Sequence, residues 1–175
     1  MPDSTTRGGD PGPVIRELGR PGDLGWIIGA HAELYAEEFG WDASFEVFVA
    51  RIVTDFAEGH TSRERAWIAE LAGERVGCVM LVDGAHRPSG VEGEATLRVL
   101  LVHPRGRGHG VGRRLVRTCL DFARDRGYRR VTLWTNDILT AAIAIYRDLG
   151  FELVGEEPHH SYGQDLVGQY WALDL

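Results

Sequence analysis

Four glycines at alternate positions, Gly106, Gly108, Gly110 and Gly112, stand in the stretch VHPRGRGHGVGRRL. Before them lies the apolar run EATLRVLLVHP, which reads as a strand. After them Val111, Leu115, Val116, Cys119, Leu120 and Ala123 recur at helical spacing until Gly127 ends the pattern. A strand that turns through glycine straight into an amphipathic helix leaves several backbone N–H groups aimed at one spot, at the positive end of the helix dipole. That junction suits an anion: without Cβ atoms the chain can approach phosphate oxygens closely, and Arg107, Arg113 and Arg114 add charge. The dinucleotide fingerprint G-x-G-x-x-G does not fit, because no register of the four glycines supplies it. The remaining alternative is a flexible surface loop.

Charge is distributed in the same sense. From His103 to Arg130 nine Arg stand against two Asp, a local +7 on a chain of formal net charge −7, which leaves −14 elsewhere. A positive region on an acidic body suits a small polyanion better than a long duplex, so no nucleic-acid partner is expected. No apolar run approaches the roughly 18 residues of a membrane span, and MPDSTTRGGDPGP lacks the basic and apolar blocks of a signal peptide. A cytoplasmic protein with no membrane partner, monomer or homodimer, is expected. Cys78 and Cys119 lie far apart among apolar neighbours and read as small core residues.

At 175 residues one domain is expected over 13–175, after a disordered tail over 1–12 that is rich in Gly, Pro, Asp, Ser and Thr. VIREL reads as a short strand. Two helices follow, the first with Leu24, Ile27, Ile28, His31, Leu34 and Tyr35 at helical spacing, the second from about Ser44 to Glu58. AWIAELAG, ERVGCVMLVDG and EATLRVLLVHP then form an antiparallel meander, joined at AGER by a hairpin-like turn. After the glycine-led helix come the strand RRVTLWT, the helix ILTAAIAIYRDLG and the strands FELVGEE and LVGQYWALDL. The segment EEPHHSYGQDLVGQYW is expected to run as a loop between those last two strands. This order defines an α+β fold with a mixed, mostly antiparallel sheet of six to seven strands and about four helices.

Arg105-Gly106-Arg107-Gly108-His109-Gly110 fits R-x-x-G-x-G, and with its flanking strand and helix, LWTN and AAIAIYRDLGF, it resembles the GNAT superfamily of N-acetyltransferases. RPGDLGWI and LYAEEFGWD resemble, more narrowly, the acetyltransferase domains fused behind MarR-type winged-helix regulators. The short segment before Val14 leaves no room for a winged helix, so a lone acetyltransferase unit without DNA binding is expected. The resemblance implies acetyl-CoA as co-substrate. Its pyrophosphate would lie on Arg105, Arg107, Gly108, Gly110, Val111, Gly112 and Arg113. Leu100 N–H would face the acetyl carbonyl, and Val102 would take the pantetheine amide. Many relatives carry an Asn where this chain has Leu139, and Asn136 is the substitute expected to contact CoA.

Acetyl transfer to an amine asks a protein to hold the two reactants together, stabilise an oxyanion and move protons. An alkyl amine of pKa about 10.4 is mostly protonated at pH 7, so a base, or a site that lowers that pKa, is needed. Tyr146 matches the family tyrosine that protonates the departing thiolate. Some relatives place a base at the position of Thr96, which leaves Glu94, on the same side of an unbulged strand, as the carboxylate candidate. His159 or His160, acting through a water, is the other. With Asp165 these histidines also suggest a metal, but no third ligand stands at a useful spacing, and none is expected. Tyr35, Glu37, Glu38 and Trp41 are expected at the acceptor site, suited to a small cationic amine. The expected activity is acetyl transfer to a primary amine of a small molecule by direct attack in a ternary complex. A non-catalytic acyl-CoA sensor and a protein N-terminal or lysine acetyltransferase are the alternatives.

Overall fold

The computed structural model describes residues 12–84 and 90–175, so the tail expected over 1–12 lies, apart from Gly12, outside the described residues. In chain order the elements are β1 (Val14–Glu17), α1 (Asp23–Phe39), α2 (Ala43–Gly59), β2 (Arg65–Leu71), β3 (Glu74–Asp83) and β4 (Glu94–Val102). A 3₁₀ turn (Pro104–Gly106) then leads to α3 (Val111–Asp125), β5 (Arg130–Asn136), α4 (Thr140–Asp148), β6 (Glu152–Ser161) and β7 (Gln164–Asp174). They build the expected α+β architecture, one seven-stranded sheet in the order β1-β2-β3-β4-β5-β7-β6 with four α-helices.

β3 is buried on both faces for almost its whole length, which is why VGCVMLV within it carries no polar side chain. Along it Val79 and Leu81 face the helices α3 and α4, while Cys78, Met80 and Val82 face α1 and α2. Both cysteines are fully buried and unbridged, as expected of small core residues.

Two features of β4 open the sheet. The one parallel pair, β4 with β5, is joined only at Glu94↔Arg130, Ala95↔Val131 and Thr96↔Thr132, and beyond Thr96 the strands part. On its other edge β4 carries a bulge: Met80 opposes Arg98 but Cys78 opposes Leu101, so Val99 and Leu100 of β4 stand against Val79 alone of β3. Val99 absorbs the extra residue at φ 47°, a conformation that costs a β-branched residue on the order of 1–3 kcal/mol, and Cys78 Sγ donates to its carbonyl at 3.2 Å. The bulge also exchanges the faces of the strand. Ala95 and Leu97 pack toward α3 and α4, as do Leu100 and Val102 after it, while Leu101 joins the α1/α2 core.

The segment expected as a loop after FELVGEE is instead ordered strand. β6 runs through Pro158, His159 and His160 to Ser161 and pairs with β7 as far as Ser161↔Gln164. Pro158 is compatible with a strand because β6 is the sheet edge. Tyr162 and Gly163, at φ 57° and 77°, make the two-residue turn. The hairpin tip folds onto the α1–α2 corner, where Asp42 N–H donates to Tyr162 O at 3.1 Å and Gln164 Nε2 to Phe39 O at 2.6 Å.

Candidate active site

The parting of β4 from β5 leaves a groove of about 670 Å³, walled by Leu100, Leu101 and Val102 on one side and by Leu139, Ala142 and Ile145 on the other. Its closed end is the glycine junction, with Gly106, Arg107, Gly108, Gly110, Val111, Gly112 and Arg113 in its lining. The glycines divide into two kinds. Gly108 and Gly110 adopt φ 80° and 69° with open space where a Cβ would stand, so backbone conformation is their requirement. Gly106 and Gly112 are packing glycines: a Cβ would meet Val76 Cβ at 3.0 Å and Ile145 Cδ1 at 2.6 Å respectively. Gly110 is the N-cap of α3, and the first helical N–H to find a partner is that of Arg114, on Gly110 O at 3.1 Å. The N–H groups of Val111, Gly112 and Arg113 are therefore those a helix start offers to an anion.

The arginines around this cradle are engaged on the surface. Arg107 pairs with Glu38, Arg113 with Asp148 and Arg105 with Glu74. Arg107 and Arg113 still line the groove, but Arg105 turns away to β3 and does not.

Through the same opening the groove meets a second cavity of about 150 Å³, under α1 and α2. Tyr35, Leu100, Leu139 and Ala142 belong to both. The smaller cavity is an aromatic box. Trp41, Phe45 and Tyr162 stand with ring centroids 4.7–4.9 Å apart, Tyr35 lies 4.7 Å from Phe45, and Trp134 enters from β5. Tyr146, on the opposite face of the sheet in the core under α3, reaches this cavity where β4 and β5 separate. Burial pushes its phenol well above the usual range, so it holds its proton at any working pH. Burial likewise raises Tyr35.

His31 also lines the box, 2% exposed, one helical turn before Tyr35 and stacked on it at 5.7 Å. Its Nδ1 lies 2.7 Å from Ile27 O and so carries the proton, which leaves Nε2 as a lone-pair acceptor. Burial lowers its pKa to about 4, the bond to Ile27 opposing only part of that shift. Nε2 has no hydrogen-bond partner, nor has the indole N–H of Trp41.

The structure sorts the remaining expected residues. Leu100 and Val102 line the groove, and Trp41 and Tyr35 the box. Glu38 lies on the groove beside Arg107, and exposed Glu37 lines neither cavity. Asn136, 2% exposed, lines the box rather than the groove, and its Oδ1 accepts from His159 Nε2 at 2.7 Å. His159 accepts in turn from Ser161 Oγ at 2.9 Å and so stands behind Asn136. His160 projects from the other face of β6 to Asp165, 2.7 Å away, and lines neither cavity. Glu94 is displaced further. It sits at the first position of β4 within 3.8 Å of Arg130, six strand residues or roughly 20 Å from Leu100 by strand rise alone. Among the described residues no group of three His, Cys, Asp or Glu is placed to hold a metal, and no helix is long and apolar enough to cross a membrane. His31, Phe45, Arg98, Trp134 and Tyr162 were not singled out as site residues. Only the i, i+4 spacing of His31 and Tyr35 hinted at any of them.

With groove, helix cradle and bulged strand in place, residues 30–151 match the model of the Acetyltransferase (GNAT) family, and the chain belongs to that family. Among known proteins it is similar to N-acetyltransferase family 8 member 2 of Rattus norvegicus, 36% identical over 107 residues that make up 61% of this chain and 46% of that protein. N-acetyltransferase 8B of Homo sapiens is 32% identical over 71% of this chain and 55% of that protein. The chain thus spans about half the length of these relatives. In fold it is similar to the ribosomal-protein-alanine N-acetyltransferase of Brucella melitensis, with a TM-score of 0.73 and 21% identity over 93% of this chain and 99% of that one. A Salmonella typhimurium structure with its cofactor acetyl-CoA follows at a TM-score of 0.72 and 20% identity, over 93% of this chain and 94% of that one.

Proposed function

We propose that the chain transfers an acetyl group from acetyl-CoA to the primary amine of a small molecule, by direct attack in a ternary complex. The observation that carries this reading is the meeting of a long groove ending at a helix N-terminus with an aromatic box, at Leu100 and beside Tyr146. The groove suits acetyl-CoA, the co-substrate of GNAT acetyltransferases. Three helix-start N–H groups are available for the pyrophosphate, and β4 has no strand partner along the groove beyond Thr96 for the pantetheine arm. Acetyl-CoA supplies the activated thioester.

The chain's own groups do the rest. Leu100 N–H holds the carbonyl oxygen as charge develops on it, the aromatic walls of the box flank the amine, and the protonated Tyr146 phenol stands ready for the departing thiolate. Direct attack is favoured over a thiol-linked acyl-enzyme because neither Cys78 nor Cys119 lines either cavity and burial raises both thiols. The likeness of RPGDLGWI and LYAEEFGWD to the MarR-fused acetyltransferases belongs to the same proposal. These passages form much of α1 and its following turn, against the box.

Release of CoA thiol, followed with a panel of small primary amines and with short peptides, tests the reading. Amine-dependent release supports it. Acetyl-CoA binding without release under any acceptor would favour the sensor, and release with peptides alone would favour a protein acetyltransferase.

A further inference from the structure

The chain has a single asparagine, and it stands in the box with half of its amide unused. Asn136 is 2% exposed and closes β5 on the face that also carries Trp134. Its Oδ1 is taken by His159 Nε2 at 2.7 Å. An amide oxygen only accepts, so Nε2 carries the His159 proton, and Nδ1, the bare nitrogen of a neutral imidazole, receives Ser161 Oγ–H at 2.9 Å. The three side chains form one directed chain, from Ser161 through His159 to Asn136, and its direction fixes which end of the amide is the NH2. Neither N–H of Nδ2 has a partner among the described residues, yet this nitrogen is not shut off from solvent as His31 Nε2 and Trp41 Nε1 are. The little exposure that Asn136 keeps therefore includes Nδ2, in a residue that lines the cavity. A donor held from behind and open in front calls for a partner from outside the fold.

The sheet itself clamps His159. Its ring lies 5.3 Å from that of Trp134, and Trp134 in turn covers Gly168, where a Cβ would stand 2.7 Å from the indole Nε1. Gly168 pairs with Asn136 across β5 and β7, so the glycine that seats Trp134 lies opposite the asparagine. The turn of the C-terminal hairpin thus serves the box twice, with His159 and Ser161 behind Asn136 and Tyr162 in the lining.

Chemistry limits what can meet Nδ2. Asn136 lines the box and not the groove, so its partner belongs to the acceptor rather than to the pantetheine arm. The attacking nitrogen is excluded, because its lone pair must stay free for the acetyl carbon. An amine with a purely apolar body would displace water from the donor and return nothing, which loses affinity. We infer that Asn136 is the hydrogen-bond donor that binds the acceptor, that the acceptor carries a carbonyl or hydroxyl oxygen beside its primary amine, and that His159 is a positioning residue that keeps the NH2 turned into the box. This rests on the amine-transfer reading of the same site.

The test uses protein labelled for NMR on asparagine nitrogen and saturated with CoA, whose one side-chain amide signal pair is that of Asn136. L-phenylalaninol and L-phenylalaninamide move this pair further than phenethylamine does at equal saturation. By calorimetry at least one of the two binds about three- to tenfold tighter than phenethylamine, the worth of one neutral hydrogen bond. Asn136→Asp keeps an oxygen for His159 but replaces the NH2 by an acceptor, and it abolishes the preference. His159→Leu shifts the pair in the free protein and reduces the preference, and His159→Gln, whose amide N–H can serve Oδ1, restores part of it. A merely structural His159 would change the melting temperature and leave the order of the three amines as it was. An Asn136 signal that none of the three moves, parity or a preference for phenethylamine, or a preference that survives Asn136→Asp overturns the inference. Oxygen-selective binding without CoA release in the turnover assay would sink the transfer reading and leave this one standing. CoA release as fast with phenethylamine as with the oxygen-bearing amines, with the Asn136 pair unmoved, would do the reverse.

Discussion

Substituting Gly110 separates two reasons for a glycine in the phosphate cradle. The residue caps α3 at φ 69° and ψ 16°, with no heavy atom within 4 Å of where a Cβ would stand, so size is irrelevant and conformation decides. The left-handed region costs an L-residue such as Ala about 1–2 kcal/mol, and Asn less because its side chain bonds locally there. Gly110→Ala therefore lowers the melting temperature by about 2–4 °C for each kcal/mol lost, given a chain of this length. If the strain is relieved by rotating φ, the N–H groups of Val111, Gly112 and Arg113 lose their common aim, and acetyl-CoA affinity falls about tenfold, some 1.4 kcal/mol. Gly110→Asn, with the larger side chain, loses less on both counts. Thermal melts and calorimetric titration with acetyl-CoA read the two effects separately. Equal losses in the two variants, or a larger loss for Asn, would refute the conformational reasoning.

Four further outcomes are expected. Tyr146→Phe lowers kcat by about a hundredfold with little change in acetyl-CoA affinity, as loss of a general acid does, and unchanged turnover would remove Tyr146 from the chemistry. His160→Ala leaves turnover within about twofold, because its ring lies outside both cavities; a large loss would restore it to the mechanism. His31 stays neutral in the fold to about pH 4, whereas an unfolded chain protonates it near 6.5. Its contribution to stability is therefore present above pH 6.5 and declines by up to about 1.36 kcal/mol per pH unit as pH falls toward 4; urea titrations at several pH values should lose that slope in His31→Gln. Asp23 is fully buried, where desolvation alone would raise its pKa, but Arg16, Arg75 and the N–H groups of Gly19 and Arg20 hold it far below the usual carboxylate range. Asp23→Asn removes the carboxylate that Arg16 and Arg75 share, leaving Arg16 with Glu70 alone, and should cost about 3–5 kcal/mol in a denaturant melt, while a loss under 1 kcal/mol would contradict the network.

The glycine junction proposed for the donor is legible in the sequence because local chemistry writes it. A turn that needs φ > 0 at Gly108 and Gly110 demands glycine, and an amphipathic stripe directly after it fixes where the helix begins. Element order was equally readable from apolar periodicity, down to the Ala72-Gly73 turn between β2 and β3. The aromatic box proposed for the acceptor is assembled from distant pieces, and no single stretch carries it. Trp41, Phe45, Arg98, Trp134 and Tyr162 come from five separate places along the chain. Glu94 shares the face of Thr96, but it stands at the first position of β4 beside Arg130, and a strand pattern alone does not show which end of the strand borders the cavity. The C-terminal hairpin was missed because Tyr-Gly is a weak turn signal beside Asn-Gly, and because Pro158 argues against a strand unless the strand is an edge. His31 read as one apolar-face residue of α1; only the packing shows that Nε2 lacks a partner.

A crystal structure of the protein with acetyl-CoA bound is the most direct test of how groove and box work together. The pyrophosphate is predicted on the N–H groups of Val111, Gly112 and Arg113, the thioester carbonyl on Leu100 N–H, and the sulfur toward Tyr146 Oη, with the acetyl carbon facing the box that His31 and Arg98 line. A pyrophosphate bound away from the α3 N-terminus, or an acetyl group directed out of the box, would contradict it.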